Sequence, residues 1–240
     1  MKMSDTELQR IRGGSVGYVF QDPAVAFNPC YTIGEHIKES LRVHRPSEVG
    51  DAEVIRLISL VGIAEPDIRA KEFPSQLSGG MLQRAMIALA LASRPRLLIA
   101  DEPTSSLDAT TQSQILDLLI ELKRELDMTL MFITHNLAVV SDIADRIAVM
   151  RYGRIVEIGS ASALIEDPLH PYTRSLIDAV PTFSGSYPRS EERSTFGSKG
   201  RPGLAVQGKR QAIVEDRHGE TNVCSLREVS PGRWVELPFV

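Results

Sequence analysis

The feature that most constrains the fold is the run Leu97-Leu98-Ile99-Ala100-Asp101-Glu102, four apolar residues closed by two carboxylates. A short apolar run with helical patterns on both sides predicts a parallel strand buried on both faces. Upstream, Gly80 to Ser93 is rich in Ala, Leu and Met and predicts a helix. Downstream, Ile115, Leu118, Leu119, Leu122 and Leu126 recur at helical spacing and mark one apolar face of an amphipathic helix. Thr129 to Thr134 reads as another apolar strand, followed by a helix from about Leu137. Helix, strand, helix, strand in this order predicts an α/β domain with a largely parallel sheet.

In an open α/β sheet, ligands bind at the C-terminal ends of the strands, which is where Asp101 and Glu102 stand. Adjacent strand residues point to opposite faces, so the two acids are expected to do different work. One can hold a hydrated Mg²⁺ and the other can orient or deprotonate a water. Taken alone, the pair reads more readily as a solvated strand end.

The flanking segments complete the outline. Ser4 and Glu7 have capping-box spacing. Val16 to Phe20 reads as a strand stopped by Gln21-Asp22-Pro23. Ile33 to Val43 and Ala52 to Val61 read as helices, separated by Pro46 and Gly50. Ile147 to Met150 and Ile155 to Ile158 flank Tyr152-Gly153 and predict a hairpin. Beyond Pro181 the composition changes. Thr182 to Arg210 holds six basic residues against two acidic ones among Gly, Ser and Pro, which reads as a flexible basic linker. Val229 to Val240 is apolar enough to dock.

Composition excludes several classes. The chain of 240 residues carries a net charge of −4, which argues against bulk electrostatic binding of nucleic acid. Its apolar share, 42%, is ordinary for a globular protein, and no run approaches the roughly 18 apolar residues of a membrane span. Cys30 and Cys224 are the only cysteines, so neither a disulfide framework nor a Cys-based metal site is expected. Together with an N-terminus free of an apolar segment, this reads as a reduced cytosolic protein.

Leu77-Ser78-Gly79-Gly80-Met81-Leu82-Gln83-Arg84 places a serine and two glycines at a predicted helix start. A hydroxyl, free backbone N–H groups and the positive dipole end together make an anion site, although an N-cap on a permissive turn has the same pattern. Asp108, near the start of the next helix, has the position of an ordinary cap. His135 follows a strand, as does Gln21. Each of these has a structural reading by itself; their joint order does not.

The order resembles the nucleotide-binding subunit of ABC transporters. Gln21 matches the Q-loop, Leu77 to Arg84 the signature, Leu97 to Asp101 the Walker B strand, and Glu102 the catalytic glutamate. Ser106-Leu107-Asp108 matches the D-loop and His135 the switch histidine. Phe20-Gln21-Asp22-Pro23, Phe27-Asn28-Pro29, His170-Pro171-Tyr172-Thr173 and Ser230-Pro231-Gly232-Arg233-Trp234-Val235 narrow the likeness to the dipeptide, oligopeptide and nickel importers. Leu82 stands where that group usually has Arg, and Asn136 where Asp is commoner.

The resemblance implies a P-loop NTPase-like ABC nucleotide-binding domain with a helical signature subdomain at about 33–94 and a C-terminal extension. It implies ATP and Mg²⁺ as cofactors. Glu102, His135 and Gln21 would be catalytic, and Asp101 with Gln21 would hold Mg²⁺. Ser78, Gly79, Gly80, Gln83 and Asp108 would face nucleotide. The implied partners are a second ABC ATPase subunit, membrane permease subunits reached through the loop after Gln21, and indirectly a periplasmic or extracellular binding protein. No nucleic acid is implied, and the expected place is the cytoplasmic face of the cell membrane. Two other readings stand beside this one: a subunit that binds the transporter without turnover, and an ABC protein of translation or DNA repair. Phe27-Asn28-Pro29, His170-Pro171-Tyr172 and the acidic balance speak against the last.

The resemblance also requires a phosphate loop, G-x-x-x-x-G-K-[ST], upstream of Gln21, and none of the residues before Gln21 fits it. Gly203 to Arg210 has the spacing, but Arg210 replaces the Mg²⁺-binding hydroxyl, and no apolar strand leads in. The expectation is therefore an ABC domain truncated at its N-terminus over 1–181, followed by a basic linker and extension over 182–240. Such a chain is expected to be inactive alone, to complete one site of two with a complete partner, and to expose apolar surface.

Overall fold

The computed structural model describes residues 3–4, 7–8, 11–179, 209–215 and 221–236. They divide into two compact units, Met1–His135 and Asn136–Val240.

The first unit is built on a parallel sheet of β1 (Val16–Val19), β2 (Leu97–Asp101) and β3 (Thr129–Ile133), with β2 central. Val19 pairs with Ala100, and Asp101 with Ile133. The helices are Pro23–Ala26, Ile33–His44, Asp51–Leu60, Pro66–Arg69, Gly79–Leu91 and Ala109–Glu125. The long helices predicted from the sequence are all present, with ends shifted by one or two residues. Their boundaries have local causes. Thr32 and Glu35 form a capping box at the start of Ile33–His44. Ser78 Oγ accepts from the Met81 N–H, so the next helix begins at Gly79, one residue earlier than expected. Leu126 follows the last helical residue of Ala109–Glu125 and is exposed, so the apolar stripe stops at Leu122.

One contiguous core joins Ile37 and Leu41, Leu57 and Ile58, Met86 and Ile87, Leu98 and Ala100, and Ile115 and Leu119. It covers only one face of the sheet. On the other face Tyr18 is 37% exposed, Phe20 53%, Met131 50% and Ile133 39%. The expectation that β2 is buried on both faces is thus corrected: its burial alternates, with Leu98 and Ala100 inside and Leu97, Ile99 and Asp101 half-buried. The apolar run reflects the chemistry of both faces, whereas burial depends on what packs against each.

A charge network binds the helical part. Arg45, buried, donates to the Ala92 carbonyl (2.9 Å) and pairs with Glu48 and with Glu53 (2.9 Å). Arg56 grips Glu53 with two bonds of 2.7 and 2.8 Å. The Arg56 hydrogen bonds, strengthened by the Arg56 and Arg45 charges, outweigh burial and lower the Glu53 pKa from 4.5 to about 2. Gly80 has a packing role of its own: a Cβ there would lie 2.7 Å from Thr111 Cγ2, in the first turn of Ala109–Glu125.

In the second unit, β4 (Arg146–Arg151) and β5 (Arg154–Ser160) form the expected hairpin. Its turn residues Tyr152 and Gly153 both have positive φ, 50° and 75°, the pattern of a tight two-residue hairpin turn. The sheet continues antiparallel through β8 (Arg233–Glu236), β7 (Thr221–Ser230) and β6 (Lys209–Glu215), in the order β4-β5-β8-β7-β6. Helices Leu137–Ile143, Ala161–Glu166 and Pro171–Asp178 complete the described part. The described part of the apolar C-terminal segment docks, β8 pairing with β5 through Ile158 and Trp234. Most of the expected linker lies outside the described residues, but its last two positions, Lys209 and Arg210, begin β6. Lys209 therefore stands in a strand, not at the mouth of a helix where a phosphate-loop lysine belongs. Among the described residues no helix is long and apolar enough to cross a membrane.

Three outcomes follow from this packing. The Glu53 carboxylate has a folded pKa below its unfolded value, so its stabilisation is complete above about pH 4.5 and is lost as pH falls toward 2. Glu53→Gln should cost about 1–3 kcal/mol at pH 7 in urea melts, and the deficit should shrink below pH 4. Gly80→Ala should cost about 1–3 kcal/mol, and Thr111→Ser, which removes the clashing methyl, should recover most of it. The uncovered sheet face should bind an apolar fluorescent dye, with the signal reduced by Phe20→Ser combined with Met131→Ser.

Candidate functional site

The parallel register delivers the ends of β1, β2 and β3 to one edge of the sheet. Gln21 lies two residues beyond β1, Asp101 ends β2 and Glu102 follows it, and His135 lies two residues beyond β3. The structure joins these residues directly. Gln21 Nε2 donates to Glu102 Oε2 (3.3 Å), and His135 Nδ1 stands 3.0 Å from Glu102 Oε1. An ionised carboxylate only accepts, so the proton of this second bond belongs to His135 Nδ1. Both oxygens of Glu102 are thus oriented by side chains that follow the two neighbouring strands.

Glu102 is not a continuation of the pleat. Its φ is 42°, in the left-handed region, which is strained for a residue with a Cβ. Its N–H still bonds the Ile133 carbonyl (2.9 Å), and its carbonyl accepts from both the N–H and the hydroxyl of Ser105 (3.2 and 3.1 Å). These bonds on both sides hold the strained residue in place. The strict alternation expected for Asp101 and Glu102 therefore ends at Asp101.

Tyr18 is a member that the sequence did not reveal. Its hydroxyl donates to Asp101 Oδ2 (2.7 Å), and this bond, with slight burial and the Asp101 charge, raises the Tyr18 pKa. Tyr18 pairs with Ile99, which places it on the same face as Asp101, two residues further along β2. Only the strand register carries that information.

A second cluster forms where two helices begin. Ser78 and Gly79 are exposed at the start of Gly79–Leu91, and Gly80 packs on Thr111. Asp108 caps the adjoining helix. Its Oδ1 accepts from the Thr110 and Thr111 N–H groups, and its Oδ2 from the Thr111 hydroxyl (2.7 Å). The Thr111 backbone and hydroxyl bonds are the leading causes that lower the Asp108 pKa. Gln83 is placed differently from its neighbours: it is fully buried, and its amide atoms have no hydrogen-bond partner among the described residues. At its helical position it faces the core rather than the exposed helix start.

The loop after Gln21 is pinned by His36, which no sequence pattern marks. Its Nε2 accepts from the Asn28 N–H (2.9 Å) and its Nδ1 donates to the Thr32 carbonyl (2.8 Å). Phe27 and Tyr31 meet the same ring edge-on. One imidazole thus bonds both ends of the loop from Asn28 to Thr32, leaving Tyr31 and Cys30 exposed.

Comparison with known proteins agrees with this arrangement. The family described as ABC transporter matches residues 1–105, and the oligopeptide/dipeptide transporter C-terminal region matches residues 156–198. The Oligopeptide transport ATP-binding protein OppD of Bacillus subtilis is 46% identical over 186 residues, 77% of this chain and 52% of that protein. The Dipeptide transport ATP-binding protein DppD of Escherichia coli is 46% identical over 185 residues, 76% of this chain and 57% of that protein. The chain spans about half the length of these curated relatives. Among solved structures, the ATP-binding cassette MJ0796 bound to ADP and Pi superposes with a TM-score of 0.58 at 31% identity, covering 66% of this chain and 68% of that one. The cassette cbiO1 of Clostridium perfringens, part of an ABC transporter complex, gives 0.60 at 27% identity, covering 74% and 68%. The chain belongs to the ATP-binding cassette family of ABC transporters, in the group that carries the oligopeptide/dipeptide transporter C-terminal region.

Proposed function

We propose that the chain is an ATP-binding and ATP-hydrolysing subunit that energises an ABC importer for peptides, with nickel as the alternative cargo of the group. The observation that supports this reading is the double tether on Glu102, with Gln21 and His135 meeting it from the strands on either side. A carboxylate held by both oxygens at the crevice of a parallel sheet is preorganised to orient a water and accept its proton. Gln21 and His135 also stand where they can respond to the γ-phosphate of ATP.

The donor set suits a hard divalent cation. Asp101 offers a carboxylate oxygen. Gln21 donates its Nε2 to Glu102, so its amide oxygen would be the atom free to bind a cation. These two residues would hold Mg²⁺, which when bound supplies charge neutralisation at phosphate oxygens. Tyr18 steadies Asp101. Ser78, Gly79 and Gly80 present a hydroxyl, N–H groups and the positive end of a 13-residue helix, a suitable contact for the phosphates held by a second ABC ATPase subunit. Asp108 shapes the adjoining helix start, and Gln83 acts through packing. The His36-pinned loop would meet the membrane permease subunits, which places the chain at the cytoplasmic face of the membrane, with a periplasmic or extracellular binding protein acting indirectly. In this reading 1–181 is the ATPase domain, with its helical subdomain at about 33–94, and 182–240 is an extension whose described strands are built into the same sheet as β4 and β5.

The 240 residues contain no G-x-x-x-x-G-K-[ST]. We propose that Ser78, Gly79 and Gly80 of this chain complete the ATP site of a paired cassette that supplies the phosphate loop. The test mixes it with a complete peptide-importer cassette whose own signature serine is replaced, so that this cassette is inactive by itself. ATPase activity should appear in the mixture and fall about 10²-fold or more with Ser78→Arg. Failure of the mixture to hydrolyse ATP, or activity unchanged by Ser78→Arg, would overturn the proposal. Co-sedimentation with peptide-permease membranes, absent when the permease is absent, tests the partner.

A further inference from the structure

Two motifs of the second unit, His170-Pro171-Tyr172-Thr173 and Ser230 to Val235, converge on one buried carboxylate. Glu157, in the middle of β5, has a side chain 0% exposed. Its Oε1 accepts from the Leu169 N–H (3.1 Å) and its Oε2 from the His170 N–H (3.0 Å), at the turn that opens helix Pro171–Asp178. His170 caps that helix, its Nδ1 accepting from the Tyr172 N–H (3.1 Å). The cation that answers Glu157 comes from β8: Arg233 Nη2 lies 3.3 Å from Oε1, with the guanidinium side chain only 12% exposed. Arg233 also reaches the Asp167 carbonyl and, at 3.4 Å, the Asp167 carboxylate.

The segment that carries Arg233 is shaped to deliver it. Gly232, at φ 74°, turns β7 into β8, and its N–H bonds Glu228 Oε1 (2.8 Å). Its carbonyl accepts from Arg146 of β4 (3.1 Å). Beyond the guanidinium, β8 meets β5 over only two residue pairs, Glu157 with Val235 and Ile158 with Trp234. So short a ladder contributes little by itself. A buried carboxylate without its cation is strongly destabilising, whereas the complete pair is tolerated. The attachment of β8 to β5 therefore depends on the ion pair more than on the strand ladder.

We propose that Ser230 to Val235 is a charge-latched strap: Arg233 entering against Glu157 docks β8, and the same carboxylate orders the Leu169–His170 turn. The C-terminal strand and the start of helix Pro171–Asp178 are then held or released together.

The chain contains a single tryptophan, Trp234, which lies on the strap beside Ile158, so its fluorescence reports docking. The experiment compares the full chain with Arg233→Met, Glu157→Gln and the double variant by Trp emission, acrylamide quenching and limited proteolysis. Either single change should shift the emission to the red, raise quenching and open cleavage around Leu169 and His170. The double variant should regain much of the shielding, with non-additivity of about tenfold in the docking equilibrium, because no buried charge is left unpaired. If Arg233→Met does not yield folded protein, Arg233→Lys provides the same reading, since an ammonium cannot reproduce the forked contact to Glu157 and Asp167. Unchanged Trp234 accessibility in the single variants, or losses that simply add in the double variant, would overturn the proposal.

Discussion

The parallel register of β1, β2 and β3 is the constraint on which the candidate site depends. Val19 opposite Ala100 and Asp101 opposite Ile133 bring the three strand ends level. Gln21, Glu102 and His135, far apart in the chain, then fall within hydrogen-bond reach of one another. Glu102 completes the arrangement by leaving the β-region immediately after the strand. Its left-handed backbone is held by Ile133 on one side and Ser105 on the other. Strain of this kind persists only where neighbouring bonds over-determine it, and here they fix the one carboxylate that the site turns on.

The signature segment shows a sequence motif serving packing and exposure at once. Ser78 and Gly79 stay open at a helix start, while Gly80 is held close to Thr111, whose hydroxyl and N–H are in turn bound by Asp108. The two helix starts are thereby coupled through a contact that admits no side chain at position 80. Behind them, Arg45 ties the helical segment together by satisfying the Ala92 carbonyl and two carboxylates from a buried position. The second unit uses the same device at Glu157, where one buried acid collects two backbone N–H groups and a guanidinium. In both places the buried charge is tolerable because its partners already stand in position: acceptors around Arg45, donors around Glu157.

Much of the fold was legible. Apolar spacing predicted the helices later found at Ile33–His44, Asp51–Leu60, Gly79–Leu91 and Ala109–Glu125, because amphipathic periodicity is a local property. The Tyr152-Gly153 hairpin was equally local, since few residue pairs accept two positive φ angles. The one-sided burial of β2 was not legible, because an apolar side chain looks the same whether or not something covers it. Nor were β6 and β7, whose strands follow a Gly- and Ser-rich segment with the composition of a linker.

The chain carries in plain view the order of its chemical groups: an amide after one strand, Ser-Gly-Gly at a helix start, paired acids after another strand and a histidine after a third. It also settled the family, because so many spaced identities do not arise from composition. Which of these groups touch emerges from packing alone. Tyr18 reaches Asp101, His36 pins the loop after Gln21, Gln83 turns inward, and Arg233 answers Glu157 across 76 positions of chain. The reason is physical. Propensity, capping and turn chemistry act over a few residues and are written in the chain. Register and burial are set by which surfaces meet, and that is decided only when the whole unit packs.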